Sequence, residues 1–161
     1  MTAPTIRQVP YNALDAQRLI ELVQGEYVVR YGGRDGAAVD PDEFDPPHGL
    51  FAVAYDGDQP VAIGGWRRHD PGDYGGLPGR RPAEIKRMYV AASERGRGLA
   101  RVLLGYLEDT ARRAGVDWLV LETGQRQPEA LALYRSSGYI DVPHFGTYAD
   151  APMAVHLGKP L

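Results

Sequence analysis

The segment Ser93-Glu94-Arg95-Gly96-Arg97-Gly98-Leu99-Ala100 places two glycines among arginines directly before the strongest helical pattern in the chain. Glycines let the backbone come close to a ligand. A helix start leaves N–H groups unpaired and carries the positive end of the helix dipole. Together these suit a phosphate or pyrophosphate, and Arg95, Arg97 and Arg101 add charge around it. A tight connection with exposed arginines would read the same way. The turn is not a P-loop, because no Lys-Ser or Lys-Thr follows the glycines. Nor is it a dinucleotide-binding G-x-G-x-x-G, because Arg101 stands where the third glycine belongs.

Other chemistries find less support. The four histidines, His48, His69, His144 and His156, lack metal-ligand spacing, so no metal is expected. Ser136-Ser137 lacks the G-x-S-x-G context of a serine hydrolase. Zero cysteine excludes a cysteine nucleophile, a Cys-ligated zinc and disulfides, and it fits a reducing, cytoplasmic setting.

The elements that must position the turn can be read from periodicity. Thr5 to Val9 alternates as a first strand. Ala13 to Tyr31 is a helix with Leu19, Leu22, Val23 and Tyr27 on one face, ended by Gly32-Gly33. Arg34 to Gly49 is a polar loop or holds at most a short helix. Leu50 to Tyr55 and Val61 to Arg67 form a hairpin about Asp56-Gly57-Asp58. Glu84 to Val90 is a strand. Leu99 to Gly115 is a helix with the stripe Leu99, Val102, Leu103, Tyr106, Leu107, Ala111 and Ala114. Trp118 to Leu121 is a strand, Pro128 to Ser137 a helix, and Met153 to Leu157 the last strand. This order predicts an α/β (α+β) fold, with a mixed, mostly antiparallel sheet of six to seven strands flanked by about four helices. At 161 residues, 43% of them hydrophobic, a single domain spanning 1–161 is expected. No run approaches the roughly 20 apolar residues that span a bilayer, and Met1 to Arg18 lacks a signal-peptide core.

The net charge of −3 hides an asymmetry. Asp35 to Asp58 holds seven acids and no Lys or Arg, while Arg80 to Arg101 holds seven bases against Glu84 and Glu94. One stretch could attract cations and the other anions, or both could be solvated surface. The overall acidity weighs against a nucleic-acid partner.

In this context the turn gains meaning. Glu84 to Val90 followed by Arg95-Gly96-Arg97-Gly98-Leu99-Ala100 resembles the GNAT N-acetyltransferase superfamily, whose Gln/Arg-x-x-Gly-x-Gly/Ala signature Arg95, Gly98 and Ala100 meet. Ala130-Leu131-Ala132-Leu133-Tyr134 with Gly138-Tyr139 resembles the family's second region, Leu-Tyr-x-x-x-Gly-Phe/Tyr. The resemblance spans Glu84 to Tyr139 and implies acetyl-CoA as cosubstrate and an amine as acceptor. It implies that backbone N–H groups of Gly96, Arg97, Gly98, Leu99 and Ala100 hold the pyrophosphate, flanked by Arg95 and Arg101. Met88, Tyr89 and Val90 would meet the pantetheine arm as if it were an added strand. Gln127 replaces the Asn usual at its position.

The resemblance also implies roles in the transfer. Tyr134 would be the acid that protonates the leaving thiolate, whose ordinary pKa lies near ~8.5. Its spacing with Ala130 and Ser137 would equally suit a packed tyrosine. Glu84 would take the amine proton, or else be a surface carboxylate pairing Lys86 or Arg81. Without cysteine, direct attack in a ternary complex remains. Tyr27, Tyr31 and Glu122 would border the acceptor, with His144 and Tyr148 as further loop candidates. The acidic loop Asp35 to Asp45 suggests a small cationic amine. A silent coenzyme-A-binding or sensor domain and a protein lysine or N-terminal acetyltransferase are the alternatives. Many family members are homodimers, although no stretch here marks an interface.

Overall fold

The computed structural model describes residues 3–161. Its strands are β1 (Thr5–Gln8), β2 (Gly49–Asp56), β3 (Gln59–Arg68), β4 (Pro82–Val90), β5 (Trp118–Gly124), β6 (Ile140–Asp141) and β7 (Ala154–Pro160). Its helices are α1 (Leu14–Tyr31), α2 (Leu99–Arg113) and α3 (Pro128–Ser136). The seven strands form one sheet in the order β1-β2-β3-β4-β5-β7-β6. Only β4 and β5 run parallel, joined by α2 as a strand–helix–strand unit requires.

The described residues hold three α-helices rather than about four. Between α1 and β2 only a 3-10 turn forms, Pro41–Phe44, with the Asp40 side chain accepting from the Asp42 N–H. Pro41, Pro46 and Pro47 remove backbone donors there, which keeps a longer helix from propagating.

The sheet divides the core into two layers. Along β2, Leu50, Ala52 and Ala54 face the layer that holds Leu103, Leu107 and Ala111 of α2. Phe51, Val53 and Tyr55 face the other, with Leu19, Ile20 and Val23 of α1. β2 is thus buried on both faces, which explains its unbroken apolar run. Tyr134 of α3 joins the α2 layer.

Two stripe assignments shift. Leu22 is 53% exposed and Val102 50% exposed, while Ile20 and Leu104 are buried in their place. Residues two apart lie about 200° apart around a helix, so each exchange turns the buried stripe toward its other edge, a choice that tertiary packing makes. Glu108 is buried beside Leu104 and Leu107, accepting from Tyr139 Oη at 3.0 Å and Lys159 Nζ at 2.9 Å. Among the described residues no helix is long and apolar enough to cross a membrane.

Candidate active site

β4 and β5 pair only from Pro82–Glu84 to Trp118–Val120. Beyond Glu84 the two strands part. Ile85 to Met88 and Leu121 to Gly124 then line a cleft of about 390 Å³, closed further by Tyr27, Tyr31 and Tyr134. The strand β4 keeps its antiparallel partner β3 through Val90, so the sheet gains an open inner edge toward the cleft. Such an edge can take an added strand or an extended ligand arm.

The mixed composition of β4 has a structural cause. Ile63 pairs with Tyr89 and Gly65 with Lys86, so Gly64 alone opposes both Arg87 and Met88. This is a β-bulge, with Arg87 at a left-handed φ of 61°. Simple alternation would set Glu84, Lys86, Met88 and Val90 on one face. The bulge breaks that alternation: Met88 and Val90 join Ile85 in the α2 layer. Lys86 and Arg87, consecutive in sequence, both reach Asp35.

The glycine-rich turn is placed at the start of α2. Gly98 is the N-cap at φ 77°, with no side-chain cap. Gly96 is also left-handed, and a Cβ on either glycine would meet nothing within 4 Å. The first helical N–H groups are therefore uncapped and open, a cradle that fits an anionic phosphate. The arginines around it are held from behind. Arg95 donates to the Val90 carbonyl and pairs with Glu26 at 2.6 Å, its guanidinium 5.5 Å from the Tyr89 ring. Arg97 pairs with Asp56 and Glu94. Arg101 donates to Ser136 and Ser137 hydroxyls.

Tyr134 is buried, lies edge-on to Tyr139 at 5.5 Å, and lines the cleft. Its hydroxyl has no hydrogen-bond partner among the described residues. Burial pushes its phenol upward, so it stays protonated at neutral pH. Glu122 of β5 also lines the cleft, again with no hydrogen-bond partner among the described residues. Burial raises its carboxyl, Lys86 pulls it down, and Asp35 and Glu84 push it up, leaving it at about 7.

Glu84 lies on β4 where its pairing with β5 ends. It is 6% exposed and does not line the cleft. Its Oε1 accepts from Arg67 Nη2 at 3.0 Å and faces His69 Nε2 at 3.0 Å. Arg67 is its cross-strand partner on β3 and also pairs with Glu43. Burial would raise Glu84, but the His69 hydrogen bond and the charges of Lys86 and Arg67 outweigh it and hold it below the usual carboxylate range. Nor does it pair with Lys86 or Arg81.

The roof of the cleft is latched. Tyr31 donates to Gln127 Oε1 at 3.2 Å, and Arg30 and Arg126 each donate to the other's carbonyl. Arg30 also pairs with Glu129 at 2.6 Å. Gln127, the substitute for Asn, therefore engages α1. Tyr148 lines the cleft, whereas His144 stacks against His156 at 4.4 Å, away from the cleft lining.

The two oppositely charged runs meet each other. Asp35 pairs with Lys86 and Arg87, and Asp56 with Arg97. Glu43 is taken by Arg67. Of the acidic loop Asp35 to Asp45, Asp35 and Glu43 are taken up by these pairs, while Asp40, Asp42 and Asp45 stay exposed.

The Acetyltransferase (GNAT) family model matches residues 16–139. The chain belongs to this family. Over 78 residues it is 45% identical to the IAA acetyltransferase of Azospirillum brasilense, covering 48% of this chain and 51% of that protein. Over 117 residues it is 30% identical to the uncharacterized N-acetyltransferase YsnE of Bacillus subtilis, covering 71% and 72%. The match to N-acetyltransferase family 8 member 2 of rat covers 42% of that protein, so the chain spans about half the length of the first of these relatives and less of this one. Among solved structures, a Klebsiella pneumoniae protein assigned as an acyl-CoA N-acyltransferase superposes with a TM-score of 0.78 at 26% identity, covering 98% of this chain and 97% of that one. A GNAT acetyltransferase from Elizabethkingia anophelis, solved with acetyl-CoA bound, shares the fold at a TM-score of 0.66 and 18% identity, over the full length of both chains.

Proposed function

We propose that this GNAT chain transfers the acetyl group of acetyl-CoA directly to the primary amine of a small molecule, in a ternary complex. The observation that carries the reading is the cleft between the parted β4 and β5, lined by an unpartnered phenol and an unpartnered acid. When bound, acetyl-CoA supplies the activated thioester. The uncapped N–H groups from Gly96 to Ala100 hold its pyrophosphate, with Arg101 beside them. The open edge of β4 at Met88 binds the pantetheine arm and donates a backbone N–H to the carbonyl oxygen as charge develops there.

Two side chains move protons. Glu122 takes one from the incoming ammonium, because its carboxyl at about 7 is poised to accept near neutral pH. Tyr134, kept protonated by burial, gives one to the departing sulfur and is restored by the second proton that the nitrogen loses as the amide forms. Glu84 acts as a positioning residue: ionised and tied to Arg67 and His69, it fixes the start of β4 where the cleft opens. Tyr27 and Tyr31 wall the acceptor side.

The test is thiol release from acetyl-CoA across a panel of amines. Amine-dependent release supports the reading. Stabilisation by acetyl-CoA without release on any amine would make the chain a coenzyme-binding domain instead.

A further inference from the structure

The bulge in β4 brings two cations, Lys86 and Arg87, to the wall of the cleft, their side chains 8% and 5% exposed. Both converge on one carboxylate oxygen, Asp35 Oδ2. The other oxygen accepts from the Ala37 N–H at 2.9 Å and the Tyr148 hydroxyl at 2.9 Å. Asp35 therefore has four donors and no free acceptor position, and the cluster retains one positive charge. The third cation on the cleft, Arg34, is matched by a two-point pair with Glu21.

An ammonium has three donors. That of Lys86 uses one, on Asp35, so two remain. Among the described residues the only other acid lining the cleft is Glu122, which has no hydrogen-bond partner there and feels the charge of Lys86. The cleft thus offers a surplus cation with open donors and a separate open acid. A dication such as a polyamine would set its second charge against Lys86 and Arg87 in a desolvated site, where like charges repel strongly.

We propose that the acceptor is an amine that also carries a carboxylate, its carboxylate bound by Lys86 and its ammonium by Glu122. The inference rests on the acetyltransfer reading and specifies its substrate class. The ammonium gives one proton to Glu122. Its nitrogen forms the new amide bond as the carbon–sulfur bond breaks. The sulfur takes a proton from Tyr134, the acylated nitrogen gives up its second proton to restore that phenol, Glu122 releases its proton to solvent, and the carboxylate is unchanged.

The experiment uses the full chain, acetyl-CoA and sets of three amines that differ only at the acid: an amino acid, its carboxamide and the decarboxylated amine. Thiol release and product mass are read. The amino acid is expected to exceed its carboxamide in kcat/KM by about tenfold or more, mainly through KM. Lys86→Met is expected to lower that ratio toward unity, and Lys86→Gln serves if the methionine variant does not fold. Folding of either is checked by stabilisation with acetyl-CoA. Turnover of the carboxamide or the decarboxylated amine equal to that of the acid overturns the inference and leaves the acetyltransfer reading standing. No transfer to any amine overturns both.

Discussion

At the scale of single residues, the proposed transfer sets two tasks in two environments of the cleft. Tyr134 sits in the apolar layer under α2 and is held neutral by burial, which suits a group that must arrive protonated. Tyr134→Phe removes only the hydroxyl. It is expected to lower kcat about a hundredfold while acetyl-CoA binding, read by thermal shift, stays close to that of the parent chain. Unchanged kcat would show that the sulfur is protonated from elsewhere. Glu122 is opposite in demand: it must arrive ionised. Its carboxyl titrates at about 7, so the ionised fraction rises with pH through that value. The kcat/KM profile should climb on the acid side with an apparent pKa near that of Glu122 and then level. Glu122→Gln should lower kcat/KM about a hundredfold or more and abolish the limb. A limb that survives in the glutamine variant assigns the proton acceptor to another group. These two residues were legible to different degrees. Tyr134 stood out through its Leu-Tyr context, whereas Glu122 appeared only as an acceptor-side candidate, since its burial and the absence of a partner arise from packing across the sheet.

At the scale of elements, the decisive feature is one that alternation cannot register. The pattern of β4 reads as a strand with two mixed faces, and the bulge that resolves it inserts one residue opposite Gly64. A bulge changes which face each later residue takes without changing composition, so Lys86 and Arg87 looked like residues of opposite faces. The strands, the helix starts and the turn before α2 were legible because each carries local chemistry: glycine and proline punctuation, and regular periods of two or 3.6. The latch between α1 and the turn that follows β5 was not, because it joins residues 96 positions apart. It depends on Gly124. A Cβ there would collide with the hydroxyl and ring of Tyr31. Gly124→Ala should therefore cost about 1–3 kcal/mol in urea unfolding, the usual range for overpacking. In Tyr31→Ala the collision is gone, so the same glycine substitution should cost much less, and the double-mutant cycle should show a coupling of about 1 kcal/mol or more. Equal cost in both backgrounds would mean that Tyr31 does not set the limit at Gly124.

At the scale of the whole molecule, the two opposed charge runs are partly joined to each other by ion pairs. The acidic run and the basic run lie far apart in sequence but are brought together by Asp35 with Lys86 and Arg87, and by Asp56 with Arg97. Composition could reveal the two runs and not their pairing, because only the fold sets the loop after α1 against β4. The pairing gives stability a definite pH dependence. Burial would raise Asp35, but Lys86, the Ala37 N–H and Arg87 outweigh it and hold the acid far below its ordinary value of 3.8. Glu84 is likewise lowered. Their contribution is complete above the unfolded values and is lost as pH falls through the folded ones. Glu122 acts in the opposite sense. Its carboxyl rises from 4.5 in the unfolded chain to about 7 in the folded one. Between those values the folded state binds more protons, so unfolding free energy declines as pH rises through that window and is flat above it. Urea unfolding of the parent chain and of Glu122→Gln, measured at a series of pH values from about 2 to about 8, isolates this effect. The glutamine variant should gain relative to the parent as pH rises from about 4.5 to about 7, with a constant difference above that range, because it has no proton to lose. Below about pH 4 both should weaken together as Asp35 and Glu84 take up protons. Parallel curves across the whole range would mean that Glu122 is hydrated in the folded chain and titrates at its ordinary value.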